Sequence, residues 1–163
     1  MRRLSLILLC GLVAAPVAVA AERASTDGVL EVRSLNATSA VFSGTRGSLW
    51  GQMDSGRLVV TDPSLDDGQI YVTGADRTHP VNENVTIYYG KDIHFRVAGG
   101  KYRLAFKGTG IDLTAVGVGT AQLLGDFNAD DAGDYRVDGG KWLSVPFVSR
   151  TVQFGSQPVN VAP

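Results

Sequence analysis

Ile93, Phe95 and Val97 alternate with Asp92, His94 and Arg96, and Tyr102, Leu104 and Phe106 alternate with Lys101, Arg103 and Lys107. Successive side chains of a strand point to opposite faces, so each run has one dry face and one charged face. A period of two cannot be satisfied by a helix. Beyond residue 21, no window of 12 residues shows the 3.6-residue period of an amphipathic helix. Short apolar segments, punctuated by Gly, Asp and Asn, fill the rest of the chain. The pattern specifies an all-β fold.

Turn chemistry divides the chain further. Gly99-Gly100 separates the two alternating runs and reads as the turn of an antiparallel hairpin. Asp54-Ser55-Gly56 reads as a three-residue hairpin loop between Leu49–Met53 and Arg57–Thr61. Asp138-Gly139-Gly140 does the same between Tyr135–Val137 and Lys141–Leu143, and Val148 to Phe154 reads as a last strand. Gly108, Gly110, Gly117 and Gly119 frame a hairpin-like stretch from Ile111 to Leu124. About ten short strands with turn signals at such spacing predict an antiparallel β-sandwich, jelly-roll-like, with a short β-solenoid or a barrel as the runner-up. A faint echo joins Phe42-Ser43-Gly44-Thr45, Leu49 and Asp62 to Phe106-Lys107-Gly108-Thr109, Leu113 and Asp126 at a constant offset of 64. Two related sheet halves would produce it.

The N-terminus carries an address. Arg2 and Arg3 precede the apolar run Leu4 to Ala15, and Ala18-Val19-Ala20 supplies small residues at a cleavage position. This is the order of a secretory signal peptide, residues 1–20 or 1–21. The apolar run is short for a membrane span and Pro16 interrupts its end, so cleavage is expected to leave no stable membrane insertion. Residues 21–28 and 156–163 then read as flexible ends, and 29–155 as one β domain. Cys10, the single cysteine, leaves with the leader, so no disulfide supports the fold. Losing Arg2 and Arg3 leaves 13 basic against 16 acidic residues, a net charge of −3. With no basic stripe in the sequence, nucleic acid is not an expected partner.

Two groups of residues suggest chemistry. Asp126, Asn128, Asp130 and Asp134 place oxygen ligands at spacings that suit calcium. Asp126-Phe127-Asn128-Ala129-Asp130 resembles the start of an EF-hand-type or dockerin-type loop. The likeness ends at Asp131, where that pattern needs glycine, and at Val137, where it needs an acid. An acidic solvated turn is the plainer alternative. Trp50, Tyr71 and Trp142 lie on candidate strands, where rings on an outer face would stack on sugar rings or anchor a partner. Leu49 and Trp50 point to opposite faces, and the sequence leaves open which is buried. His94 is expected on the wet face of its strand, close to Asp92 and Arg96. No nucleophile elbow and no complete dinucleotide loop is present, so nothing in the sequence positions a catalytic group.

The run from Phe95 to Leu104, the run Gly108-Thr109-Gly110-Ile111-Asp112-Leu113-Thr114-Ala115-Val116-Gly117 and the Tyr135 to Leu143 segment resemble secreted β-rich proteins of high-GC, actinobacterial-type bacteria for which no activity is known. That resemblance implies an exported β domain and brings no functional residues. The expectation is a non-catalytic secreted or cell-envelope module that binds an envelope protein or a polysaccharide through a sheet face. A carbohydrate-binding module with structural calcium is the alternative, and a small secreted hydrolase the third reading.

Overall fold

The computed structural model describes residues 26–64 and 68–156. The leader lies outside them. Seven strands follow in order: β1 (Gly28–Thr61), β2 (Gln69–Asn82), β3 (Val85–Ala98), β4 (Tyr102–Gly125), β5 (Asp134–Val137), β6 (Leu143–Ser144) and β7 (Arg150–Phe154). All pairings are antiparallel, in the order β2-β3-β1-β4-β7, with β5 joined to β1 and β6 to β5. The chain is all-β and sandwich-like, an open sheet folded over itself and not closed into a barrel. Among the described residues no helix is long and apolar enough to cross a membrane.

The folding-over is built on β1, which pairs with β4 along both of its edges. Ala40 faces Phe106 on one side and Leu123 on the other, and Phe42 likewise faces Leu104 and Ala121. Further along, Leu49 faces Val97 of β3 and Ala115 of β4. Long strands turn from one layer into the other at rows of glycine. Gly90, Gly56 and Gly108 stand in register across β3, β1 and β4. Gly56 has φ +136°, and a Cβ there would lie 2.6 Å from the Gly108 Cα and 2.9 Å from the Met53 methyl. Only glycine lets the two strands approach this closely at the corner.

The inner faces meet in one core that includes Leu30, Leu49, Met53, Leu58, Ile93 and Leu104, all fully buried. Each such side chain stabilises the fold by about 1.5–3 kcal/mol. Phe106 sits between Phe42 and Phe95, with ring centroids 5.6 and 5.0 Å away. The residues repeated at offset 64 take matching places. Phe42 meets Phe106 edge to face, Leu49 and Leu113 are both buried, and Asp62 and Asp126 each accept a backbone N–H from the residue two further on.

Several pairings differ from those the turn signals predict. Buried and exposed residues alternate as expected in Ile93–Val97 and Tyr102–Phe106, but β3 and β4 are not a hairpin, because β1 lies between them. Asp54-Ser55-Gly56 closes no hairpin either; it is the corner of the continuous β1. Ile111 to Leu124 belongs to the single strand β4. A small hairpin forms around Asp138-Gly139-Gly140, with Tyr135 facing Leu143 and Gly140 N–H donating to Val137 O at 2.9 Å. Its second strand is Leu143–Ser144, so Lys141 and Trp142 belong to the connection and not to the expected strand. The last strand starts at Arg150; Val152 and Phe154 are buried, whereas Val148 is exposed.

Candidate functional site

Leu49 takes the core side of β1, so Trp50 points outward and is 45% exposed. From Trp50 the register draws a line across six strand segments. Tyr71 on β2 faces Arg96 on β3, Arg96 faces Trp50, Trp50 faces Thr114 on β4, Thr114 faces Glu31 at the start of β1, and Glu31 faces Arg136 on β5. In-register partners share a face, so the whole row lies on the outside of one layer. Next to it, His94, Gln52 and Asp112 form a second row on β3, β1 and β4.

Trp50, Thr114 and Glu31 of the first row and the whole second row line a shallow groove of about 620 Å³, with Trp142 as a further wall and Gln52, His94, Asp112 and Thr114 supplying polar groups. The chain has two tryptophans, and both are here. Trp142 follows the β5 turn and folds back over two guanidiniums. Arg33 lies 4.1 Å and Arg136 lies 4.6 Å from its ring centroid. Both cations are fixed from below. Arg136 donates to the two Glu31 oxygens at 2.6 and 2.7 Å, and Arg33 donates to Asp134 at 2.9 Å. Cation–π contacts of this kind hold the ring in place.

Electrostatics in the groove follow from those pairs. The Arg136 hydrogen bonds hold the Glu31 carboxyl below its ordinary range, against a smaller opposing effect of burial. Asp112 accepts the Ser34 backbone N–H at 2.8 Å. His94 Nε2 lies 3.2 Å from Asp92 Oδ1, on the wet face of its strand as expected. Tyr71 is 52% exposed and donates its hydroxyl to Gln69. All three ring residues singled out from the sequence, Trp50, Tyr71 and Trp142, therefore stand on one outer surface. Arg33, Glu31 and Arg136, which hold Trp142, left no local signal; only cross-strand register reveals them.

The calcium candidates fare differently. Asp126 Oδ1 accepts the backbone and side-chain N–H groups of its own Asn128, at 2.9 and 3.3 Å. Asp134 begins β5 and is bound to Arg33 and Ser144. Asp130 is exposed. Among the described residues no three carboxylate, histidine or cysteine side chains gather where they would hold a metal. Asp126 and Asn128 thus form a turn closed by their own hydrogen bonds, while Asp134 stands on β5 and is engaged with Arg33 and Ser144.

Comparison with protein-family models, curated proteins and solved structures finds no match.

Proposed function

We propose that this protein is a non-catalytic, extracytoplasmic binding module that holds a polysaccharide in the groove between Trp50 and Trp142. The observation that carries this reading is the row Tyr71–Arg96–Trp50–Thr114–Glu31–Arg136, with Trp142 seated on its end. The exposed Trp50 ring and the half-buried Trp142 ring, beside hydroxyl, amide, carboxylate and imidazole groups, match a ligand with apolar ring faces and many hydroxyls. The signal-like leader supports an extracellular setting.

Glu31 and Asp112 raise the question of hydrolysis, because they are diagonal neighbours on paired strands. Glycoside hydrolysis needs one carboxyl that carries a proton near neutral pH. Arg136 holds the Glu31 carboxyl below its ordinary range, so Glu31 is not the proton donor of such a pair. The test is depletion from solution by insoluble cell-wall polysaccharides, with Trp50→Ala and Trp142→Ala beside the native chain. Loss of depletion in both variants, with unchanged folding, supports the groove. Equal depletion by all three proteins sinks it, and release of reducing sugar would restore the hydrolase reading.

A further inference from the structure

The second layer carries a different chemistry on its outer face. Past the glycine corner, Lys107, Arg57, Tyr89 and Arg77 stand in register across β4, β1, β3 and β2. The three cations are exposed. Arg77 lies over the Tyr89 ring, 4.5 Å from its centroid. Lys91 faces Ser55 in the neighbouring row of β3 and β1, adding a fourth positive charge.

Among the described residues, no ion pair involves Arg57, Lys91 or Lys107. Asp76 packs beside Gly90 and Asp54 beside Gly110, and neither pairs with these cations. Arg57 and Lys107 face each other directly. Like charges in that relation destabilise a sheet. Among the described residues, no carboxylate stands in register with Lys107, Arg57, Tyr89 and Arg77. The row is invisible as a run in the sequence because its members come from four strands.

We propose that this face binds an acidic polysaccharide, a linear chain of carboxylate-bearing sugars laid along the row from Lys107 to Arg77. At a strand spacing of about 4.8 Å the row is about 14 Å long, an extended and flat track. The guanidiniums of Arg57 and Arg77 present paired N–H groups that match a carboxylate, while Lys107 and Lys91 add point charges. The one ring in the row, Tyr89, is covered by Arg77, which leaves no open face there for a nucleobase to stack on. None of the large exposed apolar side chains stands in the row, so it offers nothing to insert into lipid. The face is on the other layer from the groove and binds independently of it.

Calorimetric titration of the full chain with polygalacturonate, and with a neutral polysaccharide of similar length, tests the assignment. Binding of polygalacturonate is expected, weakening about tenfold as salt rises from about 0.05 to 0.3 M. Lys107→Glu places a carboxylate opposite Arg57, so it is expected to melt no lower than the native chain while binding at least about tenfold more weakly. Arg57→Gln weakens binding in the same direction, and Trp50→Ala leaves it unchanged, which separates this face from the groove. Three outcomes overturn the proposal. They are no binding by the native chain, equal binding by Lys107→Glu, and tighter binding of a single-stranded oligonucleotide or of anionic vesicles than of polygalacturonate.

Discussion

Arg136 on β5 donates two hydrogen bonds of 2.6 and 2.7 Å to the Glu31 carboxylate on β1, and the same guanidinium supports the Trp142 ring at 4.6 Å. One ion pair thus fixes both the position of β5 and a wall of the groove. The ring is held by charges that are themselves held, which limits its rotation before any ligand arrives. Preorganisation of that kind raises affinity by reducing what must be ordered on binding.

The pair also gives the fold a defined response to acid. Because Arg136 lowers the Glu31 pKa in the folded state, the pair's stabilisation is present above the carboxyl's ordinary value of 4.5 and is lost as pH falls through the lower folded value. Glu31→Gln should therefore lower the melting temperature by about 2–4 °C at pH 7 and by less at pH 3. An equal loss at both pH values would contradict the account. Melting curves of the two proteins across pH 3–7 decide it.

At the glycine corner a single methyl group is expected to be felt strongly. A Cβ on Gly108 would point into the Ser55 carbonyl oxygen and stand 2.7 Å from the Met53 methyl. Gly108→Ala should destabilise the fold by about 2–4 kcal/mol, since backbone of β1 must move to make room. Denaturant titration of the variant checks this. A loss below about 0.5 kcal/mol would show that the corner is loosely packed.

The acidic loop makes a prediction of its own. Asp126 is engaged with Asn128 and Asp134 with Arg33, so millimolar calcium should leave the melting temperature where chelator leaves it. A ligand bound only to the folded state must raise that temperature. A rise of several degrees would support Asp126, Asn128, Asp130 and Asp134 as a metal site.

Side-chain facing was legible in the sequence, and strand partnership was not. Alternation placed Ile93, Phe95, Val97, Tyr102, Leu104 and Phe106 in the core, where all six are buried. It carried no information on β1 passing between the two runs, because a dry face fits any other dry face. Gly56 was legible as a turn glycine but not as a corner; the same positive φ serves a hairpin loop and a strand bend. Trp50, Tyr71 and Trp142 were recognisable as candidate rings. Their common surface depends on register between segments up to about 100 residues apart, and the Arg57–Lys107 juxtaposition depends on it too.

The most direct measurement uses the fact that Trp50 and Trp142 are the only two tryptophans and both line the groove. Intrinsic tryptophan emission therefore reports on this surface alone. Titration of the folded chain with soluble cell-wall oligosaccharides should give a saturable change in emission intensity or wavelength, reduced by Trp50→Ala. Oligosaccharide binding seen by calorimetry with no change in tryptophan emission would place the ligand elsewhere and contradict the groove.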